Sequence, residues 1–194
     1  EVIPTYLGGA YGRKAGWEVA IEAARLSKAA GAPVHVGWSR PDEMRHGYFR
    51  PLTHHKLSGR VDAEGNLLAI EHRQASGDVA FDFLPPFMST VMGADFGAYR
   101  GATIRYDAPN KRTVAYRRDL PLRTGWWRGL GLLPNTFAVE SFIDELAHAA
   151  GVDPLAFRLR NLGDEGDSGR YKQVLQAAAE LGEWGKPAPP GRAR

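Results

Sequence analysis

The sequence predicts an α+β fold: a small mixed or antiparallel sheet with helices packed on it. Two kinds of periodicity carry this expectation. Some stretches alternate apolar and polar residues with period two between turn residues, while others space apolar residues three and four apart with their own start and stop signals. The chain has 194 residues, 43% of them hydrophobic and 24% charged, which suits one globular domain with a real core or two small ones.

The elements follow in order. Residues 1–8 (EVIPTYLG) read as a short strand running into a glycine turn. From about Trp17 to Ala30 the spacing is helical, with Val19, Ala23, Leu26 and Ala30 on one face; Gly31 suits the position after the helix and Pro33 stops it. Residues 33–38 (PVHVGW) read as a strand with Val34, Val36 and Trp38 on one side. Ser39 is a candidate N-cap, and Pro41, Asp42 and Glu43 suit a helical first turn, whose end is partially positive. A hairpin is expected from strands at about His54–Val61 and Leu67–Gln74, joined by Asp62–Asn66 with Gly65 available for positive φ.

Residues 76–100 mix Gly, Pro and aromatics and read as irregular, with Asp78, Asp82 and Asp95 expected as loop caps. Arg112–Arg117 alternates enough for another strand. A long helix is expected after Gly131, capped by Asn135 or Thr136, with Ala138, Val139, Phe142, Ile143 and Leu146 in its apolar stripe. Asp153 with Pro154 should open a further helix carrying Phe157 and Leu159, and Tyr171–Leu181 a last amphipathic one. This divides the chain into one domain over 1–181 and an extended Pro/Gly-rich tail over 182–194.

Composition excludes several functions. With no cysteine, disulfides, thiolate catalysis and Cys-ligated iron–sulfur clusters are ruled out for this chain. No apolar run is long enough to span a bilayer. The net charge is +3, and only Asn110–Arg118 is locally basic. That stretch reads as a solvated strand edge, where Lys and Arg discourage pairing with other chains, and not as a nucleic-acid stripe. His54 and His55 are adjacent in a strand, so they face opposite ways and cannot share one metal.

Two glycine loops stand out. Gly8-Gly9-Ala10-Tyr11-Gly12-Arg13-Lys14 lies between an expected strand and a helix, a place where backbone amides, glycine freedom and basic side chains together suit an anion. It misses a Walker A loop because Ala15 stands where Ser or Thr is needed. It misses a dinucleotide fingerprint because Leu7 takes the first glycine position. Arg40 could meet a 2′-phosphate, so an NADP-type site is an alternative, and a turn without ligand is another. In the second loop, Trp126-Trp127-Arg128-Gly129-Leu130-Gly131, an Arg among rings and glycines needs either an anionic partner or a cation–π stack on a Trp ring. Two such loops, each opening onto a helix, favour one shared anionic ligand.

The series YLGGAYGRK (6–14), PVHVGWSRPDEM (33–44), TGWWRGLG (124–131), FAVESFIDEL (137–146) and GVDPLAFRLRNL (151–162) resembles the molybdopterin-binding subunit of the xanthine dehydrogenase/aldehyde oxidase family. Within it, the most similar branch is the beta-subunit type of isoquinoline 1-oxidoreductase, also known as membrane-bound aldehyde dehydrogenase. The resemblance implies that Gly8, Gly9, Ala10, Tyr11 and Gly12, with Arg13 beside them, approach the cofactor. It implies that Arg128 projects toward the substrate pocket, with Gly129 and Gly131 as partner glycines. It further implies a molybdopterin cytosine dinucleotide carrying molybdenum, an iron–sulfur alpha subunit as partner, and an N-heterocycle or aldehyde as substrate.

The chain departs from the family pattern at Ala10, where the family has a third glycine, and at Tyr11, where it has Phe. Ala15 replaces a purine-recognising glutamate, which argues against xanthine. The family's general base, a glutamate near the far C-terminus, has no counterpart, so the chain is expected to be a fragment that is inactive alone. A subunit-interaction scaffold is the further alternative.

Overall fold

The computed structural model describes residues 3, 5, 6, 8–164, 166–188, 190 and 191. The helices are α1 (Glu18–Ala30), α2 (Arg40–His46), α3 (Phe87–Met92), α4 (Phe96–Tyr99), α5 (Leu132–Ala149), α6 (Pro154–Asn161) and α7 (Asp167–Leu181). The strands are β1 (Thr53–Val61), β2 (Leu67–Ser76) and β3 (Asn110–Arg117), in the spatial order β1-β2-β3. β1 and β2 form the expected hairpin. Gly65 takes φ 82°, and Asp62 accepts from the amides of Glu64 (3.1 Å) and Asn66 (2.7 Å). Asn110 Nδ2 donates to Leu68 O and Arg118 N to Ser76 O, contacts that advance together along both strands. β2 and β3 therefore run parallel and the sheet is mixed. β3 is an edge strand with almost every residue exposed, as its basic composition suggests.

The chain divides into two compact units. The first comprises residues 1–54, 75–100 and 115–134; the second comprises 55–74, 101–114 and 135–194. The second unit holds the larger apolar core, built from Leu67, Ile70, Ile104, Tyr106, Val139, Ile143, Leu146 and Phe157 among others. α5 supplies the expected stripe, with Val139, Ile143 and Leu146 buried. Asp153 caps α6 by accepting from Ala156 N (2.9 Å), as its Asp-Pro start implies. Buried Asn161 accepts from Leu67 N (2.7 Å) and donates to Gly65 O (3.0 Å), tying α6 to the hairpin turn. Arg158 bridges α6 and α5 through Glu140 (3.1 Å) and Asp144 (2.5 Å), so Glu140 serves structure.

Several expectations are corrected. The described residues of 1–8 (Ile3, Thr5, Tyr6 and Gly8) form no strand, Glu1, Val2, Pro4 and Leu7 lie outside the described residues, and 33–38 forms none either. Alternation in sequence makes a strand only when a ladder partner satisfies its backbone, and these segments have no partner among the described residues. α5 begins at Leu132, ahead of the expected cap, and Asn135 lies buried inside it. Residues 76–100 contain a 3₁₀ turn (Phe81–Phe83) and the short helices α3 and α4. α1 forms as expected but buries nothing, and Val19 and Leu26 are exposed. The tail opens with a hydrogen-bonded turn over 182–186, and Trp184 Nε1 donates to Asp153 Oδ2 (2.9 Å).

Within the first unit, one buried carboxylate organises the irregular stretch. Asp95 accepts from the amides of Val79 (2.8 Å), Ala80 (2.9 Å) and Phe81 (3.0 Å) on one oxygen, and from Gly97 (2.8 Å) and Ala98 (3.1 Å) on the other. Expected only as a loop cap, it caps the short helix α4 and also gathers the chain around the 3₁₀ turn.

Candidate functional site

Both glycine loops belong to the first unit. In the first, Arg13 N donates to Ala10 O (2.9 Å), closing a turn whose central residues are both left-handed, Tyr11 at φ 52° and Gly12 at φ 100°. This is the mirror-image turn that glycine and asparagine prefer; a tyrosine there costs about 1 kcal/mol or more. Ala10 does not adopt positive φ, so the alanine in place of the family's third glycine meets no strain. Gly9 is open around its Cα, and among the described residues the amides of Gly9, Ala10, Tyr11 and Gly12 donate to no protein acceptor. The loop passes into a 3₁₀ turn (Arg13–Ala15) before α1 starts at Glu18. It therefore does not open directly onto the helix end expected to assist an anion.

In the second loop, Leu130 N donates to Trp127 O (2.7 Å) and Leu132 N to Gly129 O (2.9 Å), with Gly129 at φ 91° and Leu130 at φ 51°. Gly131 N donates to Gly97 O (2.8 Å), and a side chain at Gly131 would collide with the backbone of Gly97 and Ala98. α4 and its Asp95 cap therefore seat the end of this loop.

The two loops meet. Arg128 N donates to Tyr11 O (2.9 Å), and a Cβ at Gly12 would run into the Trp126 carbonyl. The Arg128 guanidinium lies over the Tyr11 ring, 5.6 Å from its centroid. The stack expected on a Trp ring is thus made on Tyr11, while the Trp127 ring faces Arg50 at 6.0 Å. Among the described residues no carboxylate pairs with Arg128.

Arg13 differs. Its guanidinium meets Glu18 (3.8 Å) and Glu43 (3.6 Å) and lies near the rings of Tyr48 (5.5 Å) and Trp38 (5.9 Å). Glu18 also accepts from the Tyr48 hydroxyl, whose oxygen accepts from Arg123 Nη2 (2.8 Å). Burial pushes the Glu18 carboxyl up, but the Tyr48 hydrogen bond with the charges of Arg13 and Arg123 outweighs it, and the carboxyl titrates below its ordinary value. Burial and the bond to Glu18 push the Tyr48 phenol up, so it stays a neutral donor.

Sequence reading missed the strap that supports the second loop. Phe49 N donates to Arg123 O (2.8 Å) and Gly125 N to Phe49 O (3.2 Å). Trp127 Nε1 donates to Tyr48 O (2.8 Å), and Arg50 donates to the carbonyls of Leu130 (2.8 Å) and Arg128 (2.8 Å). These partners lie about eighty residues apart in the chain, and no local motif marks them. No group of three or more His, Asp or Glu that could hold a metal ion directly occurs among the described residues. His55 Nδ1 instead meets His72 Nε2 across the hairpin at 3.0 Å. No described helix is long and apolar enough to cross a membrane.

The first unit thus holds two interlocked glycine loops, and comparison with known proteins gives the class of the chain. Residues 1–162 match the molybdopterin cofactor-binding domain, and the chain belongs to that family. It is 28% identical to the beta subunit of the isoquinoline 1-oxidoreductase of Brevundimonas diminuta over 92% of its own length. It is 30% identical to one of the subunits of the nicotinate dehydrogenase of Pseudomonas putida over 95%. It spans only 22% and 16% of those relatives. The quinoline 2-oxidoreductase of Pseudomonas putida shares the fold with a TM-score of 0.70 at 22% identity, over 91% of this chain and 24% of that one. The aldehyde oxidoreductase of Desulfovibrio gigas does so with a TM-score of 0.66 at 24% identity, over 94% of this chain and 21% of that one. Family membership does not favour the NADP-binding and scaffold alternatives.

Proposed function

We propose that this chain is the part of a molybdenum-dependent oxidoreductase that cradles the molybdopterin cofactor at the junction of its two glycine loops. The observation that carries the reading is the Arg128–Tyr11 contact. It joins the loops through the backbone and leaves a guanidinium there without a carboxylate partner among the described residues. The residues fit an anionic cofactor. Among the described residues the amides of Gly9, Ala10, Tyr11 and Gly12 donate to no protein acceptor and nothing crowds Gly8 or Gly9, and Arg128 adds positive charge.

In this reading Gly8, Gly9, Ala10, Tyr11, Gly12 and Gly129 line the cradle. Arg13, already met by Glu18 and Glu43, braces the turn. Arg128 orients the substrate or a cofactor oxygen. The cofactor is taken to be the cytosine dinucleotide form. When bound, it supplies two-electron oxidation with water as the source of oxygen, and an iron–sulfur partner subunit carries the electrons away. The substrate class is an N-heterocycle or an aldehyde, in keeping with the names of the relatives, and the chain alone is expected to be inactive.

Arg128→Ala in the full-length protein tests this. Loss of one oriented cationic donor should lower kcat/KM by at least about tenfold with little change in the thermal midpoint. Equal losses of activity and stability would assign Arg128 to the fold. Acid extraction of the intact enzyme should release a pterin–cytosine nucleotide; recovery of NADP alone would overturn the cofactor assignment.

A further inference from the structure

We propose that Arg50 is a positioning residue that holds the backbone from which Arg128 projects; the inference rests on the role assigned to Arg128 above. α5 begins at Leu132 and has proline at position 134. In a regular helix the amide of residue 134 would donate to Leu130 O, but proline has no N–H to give. Leu132 N turns to Gly129 O instead of Arg128 O. The ladder therefore leaves the carbonyls of Arg128 and Leu130 unused, on either side of left-handed Gly129 and next to left-handed Leu130. Arg50 reaches both, Nη2 to Arg128 O (2.8 Å) and Nη1 to Leu130 O (2.8 Å), with its guanidinium 6.0 Å from the Trp127 ring centroid.

One planar fork thus ties together two oxygens two residues apart, across a turn that its own sequence does not favour. The contact is to main chain, so it constrains where Arg128 starts and leaves its side chain free. Arg suits this better than Lys, because its planar fork fixes two separate donors, whereas an ammonium's donors radiate from one nitrogen on a flexible stem. The anchor is itself fixed, since Phe49 pairs with the 123–125 segment and Tyr48 O receives the Trp127 indole. Movement of the fork would let Gly129 and Leu130 relax and would swing Arg128 away from Tyr11.

The test uses the full-length holoenzyme carrying Arg50→Ala, Arg50→Lys, Arg128→Ala and the double change. Hydrogen exchange of the 126–132 peptide should accelerate at least about tenfold in Arg50→Ala while core peptides stay unchanged. Bound molybdenum and pterin should remain. Activity should fall about tenfold, chiefly in kcat/KM, whereas adding Arg50→Ala to Arg128→Ala should cost less than about twofold more, because coupled residues are not additive. Arg50→Lys should restore less than half of the lost activity, and it serves as the readout if the alanine variant folds poorly. Unchanged exchange in the loop overturns the proposal, as does an equal activity loss in both backgrounds. If Arg128→Ala alone leaves activity intact, the reading of Arg128 fails, and the exchange result still decides whether Arg50 holds the loop.

Discussion

Replacing Asp95 by Asn exchanges one of its two acceptor oxygens for a donor inside a site that is only 5% exposed. One oxygen of Asp95 serves Val79, Ala80 and Phe81, and the other serves Gly97 and Ala98. Whichever way the amide turns, at least two backbone N–H groups lose a charged acceptor and face an NH₂ group. Hydrogen bonds to a charged partner contribute about 1.5–3 kcal/mol each, and a donor left unsatisfied costs about 1–3 kcal/mol. Relief from burying the charge offsets part of this. A net loss of about 3 kcal/mol corresponds to a fall of roughly 6–12 °C in thermal midpoint for a chain of this size. Trp126 packs edge-on against Phe83 and Phe96, in the segments that Asp95 joins, so it contributes a signal from this region to tryptophan fluorescence on heating. Glu180→Gln, on an exposed helix surface, is the control and should shift the midpoint little. An Asp95→Asn midpoint within about 1 °C of the parent would show that the five amides find other acceptors, and would refute the assignment of Asp95 as organiser of the first unit.

Two further predictions follow. Gly12→Ala places a Cβ against the Trp126 carbonyl at φ 100°; it should cost about 2 kcal/mol or more and reduce pterin retained on purification, and an unchanged thermal midpoint with full pterin content would refute the interlock. Glu18 titrates below its ordinary value in the folded chain. Its contribution to stability is therefore complete above the unfolded glutamate pKa and disappears as pH falls through the folded one. Tyr48→Phe removes the hydrogen bond behind that depression, so the midpoint gap between parent and variant, measured from pH 7 to pH 3, should be widest near neutrality and close toward acid. A constant gap would show that Tyr48 stabilises by packing alone.

Features legible in the sequence are those whose cause lies within a few residues. Ser39 and Asp42 form a reciprocal cap at the start of α2, Asp62 and Gly65 make the hairpin turn, and Asp153-Pro154 opens α6. Each is a side chain satisfying its neighbours' backbone, and the residue types state this directly. The described residues of 1–8 and the segment 33–38 form no strand because pairing is decided elsewhere in the chain. The amphipathic spacing of α1 gave its helix but not its burial, since an apolar stripe shows which face could be covered and not what covers it. In the candidate site, both loops and Arg128 were visible as glycine-and-arginine clusters. Neither the neutralisation of Arg13 by Glu18 and Glu43 nor the reach of Arg50 across the chain left a local mark.

The left-handed residues show why the loops come as a pair. Each contains a bulky residue in that conformation beside a glycine, Tyr11 with Gly12 and Leu130 with Gly129. Neither turn would hold such a residue on its own merits, because the strain is about 1 kcal/mol or more in each. Both are held from outside. Tyr11 O receives Arg128 N, and the backbone around Gly129 is fixed by Arg50 and, through Gly131, by α4. The strain at Tyr11 is thus offset by contacts that depend on the geometry of the second loop, and the second loop depends on Arg50. A change at Arg50 should consequently be felt at Tyr11, which Arg50 does not contact through any hydrogen bond among the described residues. That dependence distinguishes a cradle made of two cooperating turns from two glycine turns that happen to be neighbours.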